Sequence, residues 1–367
     1  MSPTVLAAMQ PYFTELFYNP SATYLPAKEV RRELQVARAN VAELLGAKPQ
    51  EIFFVPGGTE GNNLAIQGVL RAFPNSSVTI SAVEHDSVRY TAEKFNCFVA
   101  LVDKQGRVDV ANLRQKISST TVLVSVMYAN NEVGTVQPIR LIASLVNEIR
   151  AERKKEGNSL PLYFHTDACQ AANYLDLHVS RLGVDLMTLG GSKIYGPKQT
   201  GVLYVSSRVT LEPLLYGGGQ ERGLRSGTEN VAGAIGFATA LVEAQRMQPD
   251  EHKRLSSLQG QCIAGLKEIS DKCVVNGSLR YRLPNNVHVT FPGVQNETLL
   301  LQLEQAGFLA AAGSACSASH DEPSHVLKAM GSSDADAQAS LRFTFGRSTT
   351  AQQVDDLLAV LRRILHN

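Results

Sequence analysis

His165-Thr166-Asp167-Ala168-Cys169-Gln170 and Gly190-Gly191-Ser192-Lys193-Ile194-Tyr195-Gly196-Pro197-Lys198 each adjoin an apolar run, so one places a carboxylate and the other an amine where strands end. An amine can hold an aldehyde as a Schiff base, and a carboxylate opposite a pyridine nitrogen keeps that ring protonated and able to absorb electrons. Together Asp167 and Lys193 read as a site for a carbonyl cofactor. Taken singly, Asp167 also fits a helix cap and Lys193 a solvated side chain.

Other stretches could complete such a site. Gly57-Gly58-Thr59-Glu60-Gly61-Asn62-Asn63 lies between a strand pattern and a helix pattern, where glycines let backbone N–H groups approach a phosphate and the helix start favours negative charge. Gly58 and Thr59 are its candidate ligands, although a phosphate-free turn with a threonine cap has the same pattern. His85 follows the Ser77–Ser81 strand pattern and so stands at the carboxyl edge of a sheet, where an imidazole can stack on a flat ring. A structural histidine is the alternative. Asn131, in Tyr128-Ala129-Asn130-Asn131-Glu132-Val133-Gly134, follows the next strong strand and fits either a ligand or a turn residue. The glycine-rich run Gly217–Thr228, with Arg222 and Arg225, fits a loop reaching a phosphate or a neighbouring subunit, or a plain surface loop.

Cys316 lies in Ala310–His320, a stretch too small-sided to pack a core. A thiol on an open, mobile loop reads as reactive, whereas Cys97, Cys262 and Cys273 suit burial as small hydrophobes. Cys316, His320, Asp321, Glu322 and His325 match no closed zinc spacing, and no metal is expected.

The elements that must position these residues come from the apolar pattern. Between residues 26 and 206 strand patterns alternate with helical ones, the signature of an α/β protein with a mainly parallel sheet covered by helices on both faces. The pattern predicts a helix over Pro26–Leu45 closed by Gly46, and strands at Glu51–Val55, Ser77–Ser81, Thr121–Met127, Leu160–His165, Asp185–Leu189 and Gly201–Val205. A helix over Ile139–Lys154 ends in a charged run that reads as solvated. Gln248-Pro249-Asp250 reads as a helix boundary and a domain junction, giving a large domain over 1–247, with the first ten or so residues packed on the small one, and a smaller α+β domain over 248–367. That second part is expected to hold a strand at Asn286–Phe291, a helix at Glu297–Gln305, a strand at Leu341–Phe345 and a closing helix at Ala351–Leu365.

Composition narrows the partners. Lys plus Arg number 35 against 34 Asp plus Glu, which argues against nucleic acid or an anionic membrane and for a small substrate. Five cysteines without a CxxC pair argue against a disulfide framework and for a reducing, cytoplasmic setting. No leader pattern opens the chain and no apolar run reaches the length of a membrane span, so a soluble protein is expected.

With these residues in view, the chain resembles the cysteine desulfurases of the NifS/IscS type, a branch of the class V aminotransferase-like, fold type I pyridoxal phosphate enzymes. The resemblance runs from about Pro11 onward and rests on Asn130–Gly134, Ser192–Lys198, Arg225–Asn230 and Gly313–Ser319, which occur in family order. It implies pyridoxal 5'-phosphate held by Lys193 as a Schiff base, with Lys193 later shuttling the alpha proton, Asp167 on the pyridinium nitrogen, Gln170 on the phenolic oxygen, and His85 stacked on the ring and helping with proton transfer. It places Asn131 at the ring edge near the substrate. Gly58, Thr59, Gly190 and Ser192 would hold the phosphate, joined by Thr228 from the second subunit of a homodimer. Arg342 would grip the carboxylate of L-cysteine by a two-pronged hydrogen bond. Cys316 would take the substrate's sulfur as a persulfide, release alanine and pass the sulfur to an iron–sulfur scaffold or a tRNA-thiolation enzyme. Selenocysteine lyase, another class V activity, and a non-catalytic binding protein are the competing readings.

The chain departs from the family pattern in places. The Asp-Asn-Ala-Ala-Thr-Thr strand common near the family's start has no counterpart after Met1-Ser2-Pro3, so a shortened start is expected. Ser192 stands where histidine usually precedes the lysine, and Gly190 where serine is common, so the phosphate grip is expected to differ. With Asn367 directly after the closing helix pattern, the tail by which some relatives dock a scaffold is not expected.

Overall fold

In the computed structural model, which describes residues 1–313 and 323–366, strands β1 (Ile52–Val55), β2 (Ser77–Ser81), β3 (Asn96–Ala100), β4 (Thr121–Ser125), β5 (Tyr163–Asp167), β6 (Leu186–Gly190) and β7 (Gly201–Val205) form one sheet in the order β1-β7-β6-β5-β4-β2-β3. Every residue of β2, β4, β5, β6 and β7 is buried, as expected of strands covered on both faces by helices. The strands β3, β2, β4, β5 and β6 pair in parallel. β7 runs antiparallel to both its neighbours. The Gly191–Thr200 connection explains the reversal: it is too short for a crossover helix and closes with Gly191 N–H donating to the Thr200 carbonyl at 2.8 Å. A Cβ at Gly191 would fall 2.2 Å from Thr200 Oγ1, so this turn requires glycine.

The Gly58–Ala72 helix sets Leu64, Ala65, Val69 and Leu70 into one cluster with Ile80 of β2, Leu123 of β4, Leu186 of β6 and Leu203 of β7. Each fully buried Leu, Ile or Val of this kind contributes about 1.5–3 kcal/mol relative to an exposed one. The Leu25–Leu45 helix follows the same rule, burying Val30, Leu34, Ala37, Val41 and Leu45 at helical spacing.

The chain forms two compact units, one of Met1–Ala100, Val110–Tyr128 and Pro138–Gln248, the other of Leu101–Asp109, Ala129–Gln137 and Pro249–Asn367. The first ten residues, expected on the smaller domain, belong to the first unit: Ser2 N–H donates to the Tyr195 carbonyl at 2.8 Å, Ser2 Oγ donates to Glu243 Oε2 at 2.9 Å, and Val5 is buried. The expected helix boundary at Pro249 is also corrected, because one helix runs from Val231 to Ile269 through that proline. Buried Phe237, Leu241, Leu255, Leu258, Cys262 and Leu266 continue the apolar stripe past the proline, so packing outweighs the hydrogen bond the proline removes. In the second unit β8 (Val274–Val275), β9 (Asn286–Thr290) and β10 (Ser340–Thr344) form an antiparallel sheet in the order β10-β9-β8, with Arg342 paired to His288. Among the described residues no helix is long and apolar enough to cross a membrane.

His165 shows how the sheet interior tolerates a polar residue. Its ring lies fully buried between Ser125 Oγ at 2.8 Å and Thr188 Oγ1 at 2.9 Å. Burial pushes it down to about 4, with the charge of Asp167 opposing. An imidazole held neutral in the folded state takes up its proton more readily when unfolded, so stability is full above about 6.5 and falls as pH drops toward about 4. A loss of ~3 kcal/mol across that window is expected from this residue. Urea melts from pH 7 to 4 on the wild type and His165→Gln check it; an equally steep acid loss in the variant would assign the effect elsewhere.

Candidate active site

β5 and β6 run in parallel, as do β5, β4 and β2, and β1 is antiparallel to β7, which is antiparallel to β6. The carboxyl ends of β1, β2, β5 and β6 therefore share one edge of the sheet. That edge collects Gly58 and Thr59 after β1, His85 after β2, Asp167 and Gln170 at the end of β5, and Gly190, Ser192 and Lys193 after β6. It is the edge at which open α/β sheets bind ligands.

Asp167 is nearly buried, and its carboxylate is fixed by two donors: Cys169 N–H reaches Oδ1 at 2.9 Å and Asn62 Nδ2 reaches Oδ2 at 2.7 Å. Its own carbonyl accepts from Tyr128 N–H at 2.8 Å, which fixes the backbone as well. Lys193 closes the short 3-10 turn Gly191–Lys193, and its carbonyl accepts from Asn173 Nδ2 at 2.5 Å while its side chain is exposed. Ser192 and Thr59 are likewise exposed, and Gln170 is half-buried.

Cys169 brings the loops after β1, β5 and β6 into contact. A Cβ on Gly58 would stand 2.8 Å from Cys169 Sγ, and one on Gly190 would stand 3.3 Å from the same sulfur and 3.6 Å from Gly58 N. Only glycine lets the start of the Gly58–Ala72 helix come this close, and its first N–H groups, without partners inside the helix, point where an anion would sit. Burial first, then the charge of Asp167, pushes the Cys169 thiol well up, so it stays protonated and packs as a small apolar group.

His85 caps the Asp86–Ala92 helix: its Nδ1 accepts from Ser87 N–H at 3.1 Å and lies 2.8 Å from Ser87 Oγ. Its neighbour Glu84 is fully buried, with Oε1 accepting from Met127 N–H at 2.7 Å. Burial pushes the Glu84 carboxyl well up, the Met127 hydrogen bond opposing and the charge of Asp167 adding to it. Thr228 is exposed and lines a cavity of about 260 Å³ with Leu34, Phe54, Thr200, Arg225 and Asn230. Arg225 Nε donates to Glu60 Oε1 at 2.8 Å, tying that loop to the first turn of the helix that carries Gly58.

Asn131 and Arg342 belong to the second unit, where Arg342 Nη1 donates to the Asn131 carbonyl at 2.9 Å. Arg342 and Ala311 exchange both backbone hydrogen bonds, and Ser324 Oγ donates to Glu132 Oε2 at 2.5 Å. Cys316 lies outside the described residues, as do His320, Asp321 and Glu322; His325 opens the His325–Ala329 helix. Asn62, Ser87 and Glu132 are the polar residues that sequence reasoning passed over. Asn62 stood inside the glycine-rich stretch, but its type gave no sign that it turns toward Asp167.

The donor set fits pyridoxal phosphate. A carboxylate held by two donors can face a ring nitrogen, an exposed amine ends the turn beside it, and a glycine-lined helix start is open to a phosphate. Among the described residues no group of three His, Cys, Asp or Glu side chains could hold a metal ion.

The aminotransferase class-V family model matches residues 1–357. Cysteine desulfurase IscS of Clostridium botulinum strain Hall is 39% identical over 372 residues, covering 99% of this chain and 91% of that protein. Cysteine desulfurase IscS of Methanosarcina thermophila is 40% identical over 370 residues, covering 98% and 88%. Among solved structures, a NifS-like protein superposes with a TM-score of 0.89 at 31% identity over 100% of this chain and 96% of that one. SspA in complex with cysteine superposes at 0.81 with 32% identity, covering 94% and 95%.

Proposed function

Because the chain belongs to the class V aminotransferase family, whose members use pyridoxal phosphate, we propose that it is a cysteine desulfurase converting L-cysteine to L-alanine, with the sulfur captured by Cys316. The observation that carries the reading is the Asp167 carboxylate, fixed at the end of β5 by Asn62 and the Cys169 N–H beside the Gly58 and Gly190 backbones. Near 39% identity to cysteine desulfurases over almost the whole chain supports it.

When bound, pyridoxal phosphate supplies an electron sink for a bond breaking at the substrate's alpha carbon. Asp167 would keep the proton on the ring nitrogen, and Gln170 would donate to the phenolic oxygen. Gly58, Thr59, Gly190 and Ser192 would hold the phosphate, joined by Thr228 from the second subunit of a homodimer, and His85 would cover the ring. Lys193 would hold the cofactor through its amine and would carry the proton from the substrate's alpha carbon. Arg342, its guanidinium oriented by the Asn131 carbonyl at 2.9 Å, pairs with the substrate carboxylate. Cys316 as thiolate attacks the substrate sulfur: the new S–S bond forms as the C–S bond breaks, the bonding pair stays on carbon, and protonation there gives alanine. The persulfide passes to an iron–sulfur scaffold or a thiolation enzyme. Homodimer formation is supported by exposed Leu215 and Tyr216 beside the glycine-rich loop that carries Thr228. The large unit serves the cofactor and the smaller one the substrate carboxylate and the cysteine, in a cytoplasmic protein.

Cys316→Ser tests the central assignment. It is expected to abolish sulfide and alanine formation from L-cysteine while keeping the visible absorption of bound cofactor, and full activity would overturn the role of Cys316. A substrate panel including selenocysteine, read as alanine released, separates the desulfurase from a selenocysteine lyase.

A further inference from the structure

The first unit holds a buried polar chain that links His85 to Asp167. Asn62, only 1% exposed on the helix after β1, donates through Nδ2 to Asp167 Oδ2 at 2.7 Å and to Ser87 Oγ at 2.9 Å. Ser87 Oγ lies 2.8 Å from His85 Nδ1, and Ser87 N–H donates to the same nitrogen at 3.1 Å. The direction of every hydrogen bond follows. His85 Nδ1 accepts from a backbone donor, so a neutral ring carries its proton on Nε2. Ser87 Oγ accepts from the amide and so turns its own proton toward Nδ1. The amide cannot be reversed, because that would set its oxygen against the Asp167 carboxylate. Asn62 Oδ1, buried without a hydrogen-bond partner, leaves the two donations alone to hold the side chain in place.

We propose that Asn62 is a positioning residue that, through Ser87, joins His85 and Asp167 into one coupled unit, so that a single amide sets the charge Asp167 presents and the orientation of the ring beside it. The inference rests on the reading of Asp167 and His85 as cofactor contacts. Neither Asn62 nor Ser87 touches the cofactor in this scheme; both act through their neighbours. The other titratable groups in the field of Asp167 are Glu84, His165 and Cys169, with Lys193 acting on Cys169. Substitutions at Asn62 and Ser87 leave all four of these side chains in place.

The test is the pH dependence of the visible spectrum of holoenzyme reconstituted with pyridoxal phosphate. Without the Asn62 donation Asp167 presents more negative charge, which favours the protonated form of the groups it faces. Asn62→Ala is expected to move the spectral midpoint upward by about one pH unit, the effect of one hydrogen bond to a charged group. Ser87→Ala should move it the same way by less, because the amide loses one of its two anchors. The double variant should match Asn62→Ala alone, since the two lie in series. Midpoints indifferent to both substitutions, or shifts that simply add, overturn the coupling. Absence of a visible band in the wild-type protein with added pyridoxal phosphate overturns the underlying site reading instead. Unchanged thermal melts for Ser87→Ala separate the spectral effect from loss of folding.

Discussion

Lys193→Ala is expected to lower alanine formation from L-cysteine by at least ~10⁴-fold, the upper range for a positioned proton-transfer group, because this amine is assigned both the hold on the aldehyde and the transfer of the alpha proton. The neighbouring Lys198 supplies the contrast. Both lysines are exposed in the same Gly191–Thr200 connection, yet only Lys193 ends the turn that leaves β6 next to Gly190, and only its carbonyl is held by Asn173 at 2.5 Å. Lys198 comes after Tyr195, whose φ of 60 turns the chain away from the strand direction. Lys198→Ala should therefore behave as an exposed substitution, within about 0.5 kcal/mol in stability, and keep its turnover. Borohydride reduction of cofactor-saturated protein followed by peptide mapping should find the pyridoxyl group on Lys193. Its recovery on Lys198, or turnover in Lys193→Ala within tenfold of wild type, would move the anchor elsewhere.

The parts of this molecule that could be read from the chain are those whose cause is local. Ser77–Ser81 and Gly201–Val205 are strands at the predicted positions because apolar residues bounded by turn formers suit a pleated, covered surface. Their directions were not legible, since a buried strand looks the same whichever way it runs; β7 reverses because of the short turn before it. β3 was missed because it lies at the sheet edge with Asn96 and Val99 exposed, so it lacks the continuous apolar run of its neighbours. Pro249 signalled a helix end, and the apolar stripe on both sides overruled it. In the candidate site, Asp167 and Lys193 drew attention as a pair, because a carboxylate and an amine at neighbouring strand ends suit one cofactor chemistry, whereas either alone is an ordinary residue there. Asn62 and Ser87 did not, because their meaning lies in partners 105 and 25 positions apart, brought together only by the sheet order.

Glu221→Gln is expected to destabilise the protein by ~3–5 kcal/mol, the penalty for leaving one member of a buried ion pair without its partner. Glu221 receives Arg38 Nη1 at 2.7 Å, Arg38 Nη2 at 2.6 Å and Phe54 N–H at 3.0 Å, and both side chains of the pair are almost fully buried. Arg38 Nη1 also donates to the Ile52 carbonyl at 2.7 Å, and Arg222 Nη2 donates to the same carbonyl at 2.6 Å. The glycine-rich loop is thus fastened at this point to β1 and to the Leu25–Leu45 helix, and the fastening constrains the backbone: Glu221 and Arg222 sit at φ 46 and 56, which only a well-held non-glycine residue keeps. A glutamine keeps the shape and one acceptor but leaves the Arg38 charge buried and uncompensated. Thermal melts should show a drop of roughly 10 °C, taking about 2–4 °C per kcal/mol for a domain of this size. Because Thr228 lies in the same loop, loosening it should also weaken retention of pyridoxal phosphate, read as faster loss of the visible band on dialysis. The double variant Arg38→Met with Glu221→Leu separates charge from shape: replacing both partners by apolar groups should recover most of the stability, whereas a double variant as unstable as Glu221→Gln would mean that the backbone contacts, not the ion pair, hold the loop.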